Sequence, residues 1–158
     1  MFTSRLRRFA AATGLFTLFI WVNSMVPGTE SGGLSLSVVA VVRSALGAFG
    51  LPSRWVTNLL VRKLAHMTEY AVLAVLASNT AQAYAAVGKH KHIYGLLVLY
   101  LIAVPCIDET IQLFTPGRCG TPVDVLIDCC GAVFGVLVFS FMHRHESRVH
   151  ACSNFCSK

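Results

Sequence analysis

Four long apolar stretches alternate with short polar breaks along the chain, and each approaches the roughly 20 residues that a helix needs to cross a bilayer. The first runs from Phe9 to Met25, behind Arg5, Arg7 and Arg8, and stops at Pro27-Gly28. The second covers Leu59 to Ala83, entered through Trp55 with Arg54, Arg62 and Lys63. Tyr94 to Phe114 makes the third, with Pro105 expected to kink it, and Pro122 to Met142 makes the fourth. Between the first two, Leu34 to Phe49 is apolar but broken by Ser35, Ser37, Arg43, Ser44 and Gly47. That stretch is too short and polar for a crossing and reads as a re-entrant or interfacial helix. Pro52 ends it, and Ser53 is placed to cap the next helix. Lys89-His90-Lys91-His92 and Thr115 to Gly120 read as turns, and the chain from His143 onward reads as a polar, mobile tail. The pattern predicts an all-α integral membrane protein with four transmembrane helices plus the short helix between the first two. Residues 1–158 then form a single membrane domain, with the helical bundle at 9–142 and the tail at 143–158.

Composition agrees with that class. Apolar residues make up 55% of the 158 and charged residues 13%, at a mean hydropathy of +0.65, whereas a soluble domain carries about a quarter charged side chains. The net charge of +6 is spread over loops, which argues against a nucleic-acid partner and fits an orientation signal. Four crossings put the amino end, the Lys89 loop and the tail on one side, with eight of the thirteen Lys and Arg. Arg43, Arg54, Arg62, Lys63 and Arg118 fall on the other. Because short basic loops stay cytoplasmic, both termini are expected inside a multi-pass protein. The first span also has features of a secretory signal, with Val22 and Ser24 small enough for a cleavage site. Its length, and Trp21 as an interfacial anchor, favour retention.

Ionisable groups then interrupt three spans at one level. Lys63, His66, Glu69 and Tyr70 lie along one stripe of the second span, where Glu69 sits about 9 Å deeper than Lys63. A snorkelling Lys63 above a structural His66–Glu69 hydrogen bond would also account for them. In the third span Asp108 and Glu109 are neighbours that repel unless a cation is close, and Gln112 can bond to either from the next turn. The fourth opens with Thr121 as cap and Pro122 at the first helical position. Capping alone explains Asp124 but not Asp128, which is followed on the same stripe by Gly131 and Gly135, a small-xxx-small pair. Arg118 lies in so short a turn that it must sit near both acidic helix ends, either as an ordinary loop charge or as a fork for phosphate or carboxylate. Polar groups held at one level by three helices imply a shared, outward-facing pocket.

The cysteines add little. Cys106, Cys129 and Cys130 suit apolar packing within spans, and Cys119 lies on the outer turn in a position to react. Cys152 and Cys156 follow His143, His145 and His150 without a recognised metal-ligand spacing.

Three ordered motifs carry a family resemblance. They are Lys63-x-x-His66-x-x-Glu69-Tyr70, then Asp108-Glu109-x-x-Gln112 with Pro116-Gly117-Arg118, then Asp124-x-x-x-Asp128-x-x-Gly131-x-x-x-Gly135. Together they resemble the VanZ-like membrane proteins over about Arg62 to Gly135. The resemblance implies a small, multi-spanning protein of the bacterial cell membrane, in a family whose name-giving member is associated with resistance to the lipoglycopeptide teicoplanin. At Asp128 the chain departs from the family, which usually has Asn there.

Three function classes follow. The first is a binding protein whose pocket of Lys63, His66, Glu69, Tyr70, Asp108, Glu109, Gln112, Arg118, Asp124 and Asp128 engages an amphipathic ligand in the membrane lipid. That ligand is a lipid-linked cell-wall intermediate or a lipoglycopeptide, and neither a metal nor another cofactor is required. The second is an intramembrane enzyme acting on a lipid head group, with His66 as base and the acidic cluster holding Mg²⁺ or Mn²⁺. It ranks lower because no Ser or Cys stands in a recognised nucleophile motif, and no catalytic residue can be named. The third is a proton-coupled transporter, for which four spans are few.

Overall fold

Among the described residues the chain forms five helices: α1 (Phe2–Ser24), α2 (Gly28–Ala48), α3 (Asn58–Val87), α4 (Ile93–Leu113) and α5 (Pro122–Cys156). The structure, a computed structural model, describes residues 2–88 and 92–156, and side-chain surroundings for all of these except 2, 30, 31, 34 and 145–156. The Lys89-His90-Lys91 run therefore lies outside the described residues, as do the side chains of His145, His150, Cys152 and Cys156.

The two pairs of long helices run in opposite directions. Thr13 meets Thr80 and Asn23 meets Glu69, so α1 is antiparallel to α3. Lys63 meets Asp124 and Gly135 meets Ala71, so α3 and α5 are parallel. Tyr100 meets Thr17 and Gln112 meets Ser24, so α4 runs with α1. One end of the bundle thus gathers the start of α3 and α5 with the finish of α1 and α4.

Each inward face follows a helical stripe. On α3 the buried residues are Tyr70, Leu73, Ala74, Ala77, Ser78 and Ala81, with Ala83 beside the stripe. On α4 they are Leu101, Val104, Pro105, Asp108, Glu109 and Gln112. The α4 stripe therefore changes from apolar to polar halfway along without leaving the interior. Ile20, Tyr70, Leu73, Ala74, Ala77, Leu101, Val104 and Ala132 form the apolar core. α3 and α5 pack backbone to backbone: a Cβ at Gly131 would stand 2.3 Å from the Met67 carbonyl oxygen, and one at Gly135 would stand 2.2 Å from that of Ala71. The small-xxx-small pair is thus the packing seam of the bundle.

Outward faces are apolar. Leu15, Leu18, Phe19 and Val22 on α1, Leu96, Leu99 and Ile102 on α4, and Leu126, Val133, Phe134, Leu137 and Phe141 on α5 are all exposed. A water-soluble monomer rarely shows so much contiguous apolar surface around a polar interior. Ile93–Leu113 and Pro122–Arg144 are long and apolar enough to cross a membrane; α1 and α3 have the length without the apolarity.

Several expectations need correction. α2 covers 21 residues from Gly28, six more at its start than the apolar pattern suggested, and only its Ser35–Ala48 part is apolar. Thr57, not Ser53, caps α3, accepting a hydrogen bond from the Leu60 amide at 3.2 Å. Helix α1 begins at Phe2, ahead of the arginines, because Arg and Leu are good helix formers. Trp21 packs against the core instead of standing free as an anchor, with its indole nitrogen buried. Cys106 and Cys130 face outward instead of packing inside. Helix α5 continues through the expected mobile tail to Cys156.

The glycine seam makes a direct prediction. Gly131→Ala and Gly135→Ala should each destabilise the purified protein by about 1–3 kcal/mol, because the new methyl meets backbone that cannot rotate away. Gly14→Ala, in open space on α1, should be neutral or stabilising by up to about 1 kcal/mol. Thermal unfolding in detergent compares the three; equal melting temperatures would rule out the seam.

Candidate functional site

The polar end of the bundle holds a cavity of about 390 Å³. Arg62, Lys63 and His66 line it from α3, Glu109 and Gln112 from α4, Gly117, Arg118 and Cys119 from the loop, and Asp124 and Asp128 from α5. A second space of about 220 Å³ shares Arg62, His66 and Arg118 with it and adds Asn23 and Glu69. Tyr70 and Asp108 lie beneath, both with 0% exposure. All ten residues named from the sequence therefore stand at this end of the bundle.

Local geometry positions them. Thr121 caps α5 in a reciprocal box, its hydroxyl accepting from the Asp124 amide at 3.2 Å and donating to Asp124 Oδ2 at 2.8 Å. The other Asp124 oxygen takes a 2.7 Å hydrogen bond from Lys63 Nζ, which pins the start of α3 to the start of α5. Glu109 Oε2 accepts from the Thr121 amide at 2.9 Å, tying α4 to the same cap. Gly120 lets that approach happen, since a Cβ there would lie 2.2 Å from the Glu109 carbonyl oxygen. Gln112 bridges the carboxylate pair: its amide nitrogen is 3.1 Å from both Asp108 Oδ2 and Glu109 Oε1.

Arg118 takes a different part from either expected one. Its Nε donates to the Val26 carbonyl at 2.9 Å and one terminal nitrogen donates to the Asn23 carbonyl at 3.0 Å. It therefore clamps the finish of α1, where helix carbonyls lack intrahelical partners. The remaining terminal nitrogen, Nη1, is buried without a partner. Burial, and the Arg62 charge nearby, push the Arg118 guanidinium below the ordinary arginine range.

The remaining groups are less well satisfied. Glu69 accepts from the Asn23 amide at 3.3 Å and stands 3.8 Å from His66 Nδ1. His66 Nδ1 and Asp128 Oδ2 are buried without a hydrogen-bond partner, and the buried Tyr70 hydroxyl and Asp108 Oδ1 have only each other. Among the described residues, no Lys, Arg or His makes an ion pair with Asp108, Glu109 or Asp128.

Sequence reasoning missed the contribution of α1. Asn23 reaches Glu69, and Ser24 takes a 3.5 Å contact from Gln112 while its carbonyl accepts from the Thr115 hydroxyl at 3.1 Å. The signal was available: Asn23-Ser24 is a polar pair at the end of an apolar run, at the level where the other spans turn polar. Arg62 was also read only as an entry charge, although it lines both spaces.

No curated protein and no solved structure matches this chain. The VanZ/LLP1 family model matches residues 9–143, most of the length and all five helices. With apolar outward faces and two helices able to span a bilayer, this membrane protein belongs to the VanZ/LLP1 family.

Proposed function

We propose that the cavity binds the polar head of an amphipathic ligand at the outer face of the bacterial membrane, either a lipid-linked wall intermediate or a lipoglycopeptide such as teicoplanin. The observation that carries this reading is a polar hollow of about 390 Å³ opening from a bundle whose outer faces are apolar. Such a shape suits a molecule with its tail in lipid and its head in the protein. Among the described residues Arg62 makes no hydrogen bond or ion pair, so it is free to meet a phosphate or carboxylate. Lys63 and Asp124 pair with each other and Glu109 with the Thr121 amide, so Glu69 is the lining carboxylate that offers an acceptor to amines and sugar hydroxyls.

The same reading has α1, α3, α4 and α5 all crossing the bilayer, with both termini in the cytoplasm. The polar residues that lower the hydropathy of α1 and α3 support it, because Thr13, Thr17 and Ser78 are buried in the bundle while Leu15, Phe19, Leu64 and Val72 face outward. The loop charge bias supports the orientation.

Glu109 and Arg118 are poor test positions, since each holds the fold together. Arg62→Ala leaves the caps intact. A charge-assisted hydrogen bond contributes about 1.5–3 kcal/mol, so Arg62→Ala should weaken binding of a pyrophosphate-linked wall precursor to the purified protein by about tenfold or more. In a susceptible host, expression of the wild type should raise the teicoplanin inhibitory concentration, and Arg62→Ala should lose most of that gain. Unchanged binding and unchanged resistance would reject the pocket.

Sidedness has its own test. Cys119 is exposed and lines the cavity. In a chain whose other cysteines are replaced by Ser, a membrane-impermeant maleimide should label Cys119 on intact cells. Labelling only after permeabilisation would reverse the orientation.

A further inference from the structure

We infer that His66, Asp108 and Asp128 form a binding site for a divalent transition-metal ion at the base of the cavity, between α3, α4 and α5. One ligand atom from each of the three lies within 4.8 Å of the others. Burial makes this more than an acidic cluster. Asp108 is 0% and Asp128 2% exposed; Asp128 keeps one carboxylate oxygen without a hydrogen-bond partner, while one Asp108 oxygen has only the Tyr70 hydroxyl beside it. Native interiors rarely leave a carboxylate oxygen such as that of Asp128 unanswered, and an ion shared with Asp108 and His66 would answer it. The cations nearest in sequence logic are committed elsewhere, Lys63 to Asp124 and Arg118 to the carbonyls of Asn23 and Val26.

The donor set selects the ion. One imidazole nitrogen with two carboxylate oxygens suits Zn²⁺, Mn²⁺ or Fe²⁺ better than Mg²⁺ or Ca²⁺, which prefer oxygen throughout. Two carboxylates also neutralise a divalent charge in a region where uncompensated charge is costly. Ligand atoms around a tetrahedral ion at about 2.1 Å stand about 3.4 Å apart, so the cluster has to contract by about an ångström. Supporting contacts are in place: Gln112 holds the second Asp108 oxygen at 3.1 Å, and Glu69 stands 3.8 Å from His66 Nδ1. Because His66 and Asp128 also line the cavity, an ion held by three protein ligands has its remaining position toward that space. The inference goes beyond the head-group reading and does not rest on it, since Arg62 is not a ligand.

The test uses the full chain in detergent, with all six cysteines replaced by Ser so that thiols cannot scavenge metal. After dialysis against Zn²⁺ or Mn²⁺ and removal of free ion, mass spectrometry should find one ion per chain. Asp108→Asn and Asp128→Asn, near-isosteric changes, should each weaken binding more than about tenfold. Spin-echo spectroscopy of the Mn²⁺-loaded parent should show coupling to an imidazole nitrogen, and this reading stands even where a variant fails to fold. Absence of bound ion, binding unchanged in both Asn variants, or a spectrum without nitrogen coupling would each overturn the site. Arg62→Ala should bind metal like the parent, so loss of head-group binding and loss of metal binding remain separable.

Discussion

The carbonyl oxygens of Met67 and Ala71 stand so close to α5 that only glycine fits opposite them. Everything at the polar end inherits its register from that contact. With Gly131 over Met67 and Gly135 over Ala71, the residues that precede the seam meet in turn, Asp128 near His66 and Asp124 against Lys63. Side chains of ordinary size along this seam would separate α3 from α5 and widen every distance in the cavity. Gly120 does the same for α4, admitting the Glu109 backbone close to the cap of α5. Backbone contact, more than side-chain attraction, therefore sets the geometry of the site.

A second consequence is a division of labour among the polar residues. Lys63 with Asp124, Glu109 with Thr121, and Arg118 with the finish of α1 close contacts between elements. These contacts hold the helix ends together, with only Arg118 Nη1 left unpartnered among them. His66 and Asp128 keep buried atoms unpartnered, and Tyr70 and Asp108 are poorly satisfied beside them. A half-satisfied network is worse for stability than an apolar core, because each orphaned atom has lost water without gaining a partner. Stability alone would not select this second set, so its presence beneath the first is the strongest mark of function in the fold.

Much of this was legible in the residues. The three-and-four spacing of Lys63, His66 and Tyr70, and of Asp124, Asp128, Gly131 and Gly135, fixes which groups share a face whatever the tertiary structure. The Thr121-Pro122 start of α5 is equally local. Long-range choices were not legible. Gln112 could bond to Asp108 or Glu109 from the next turn; it reaches both, and it also meets Ser24 at the finish of α1. Arg118 was free in sequence terms to meet carboxylates, and the arrival of α1 gave it carbonyls instead. The first turns of α2 were hidden by Gly28, Gly32 and Gly33, whose low helix propensity is outweighed by tertiary context. Gly28 has its own reason to be there: its amide donates to Pro116 at 3.0 Å, and a Cβ would collide with the Gly117 carbonyl, in a turn where Gly117 itself has φ +72°.

Depth separates what the cavity can hold. Arg62 is a full turn closer to the start of α3 than His66, about 6 Å along the axis, and it carries the free positive charge of the lining. The carboxylates without cations lie at the base, where the surrounding helices turn apolar side chains outward and water is scarce. Opposite charges in such surroundings attract more strongly than at a wet surface. An anion near Arg62 and a cation among Asp108 and Asp128 therefore reinforce each other instead of competing. A head group bearing phosphate would find its positive partner at the mouth and, with the base neutralised, no carboxylate field to repel it from below.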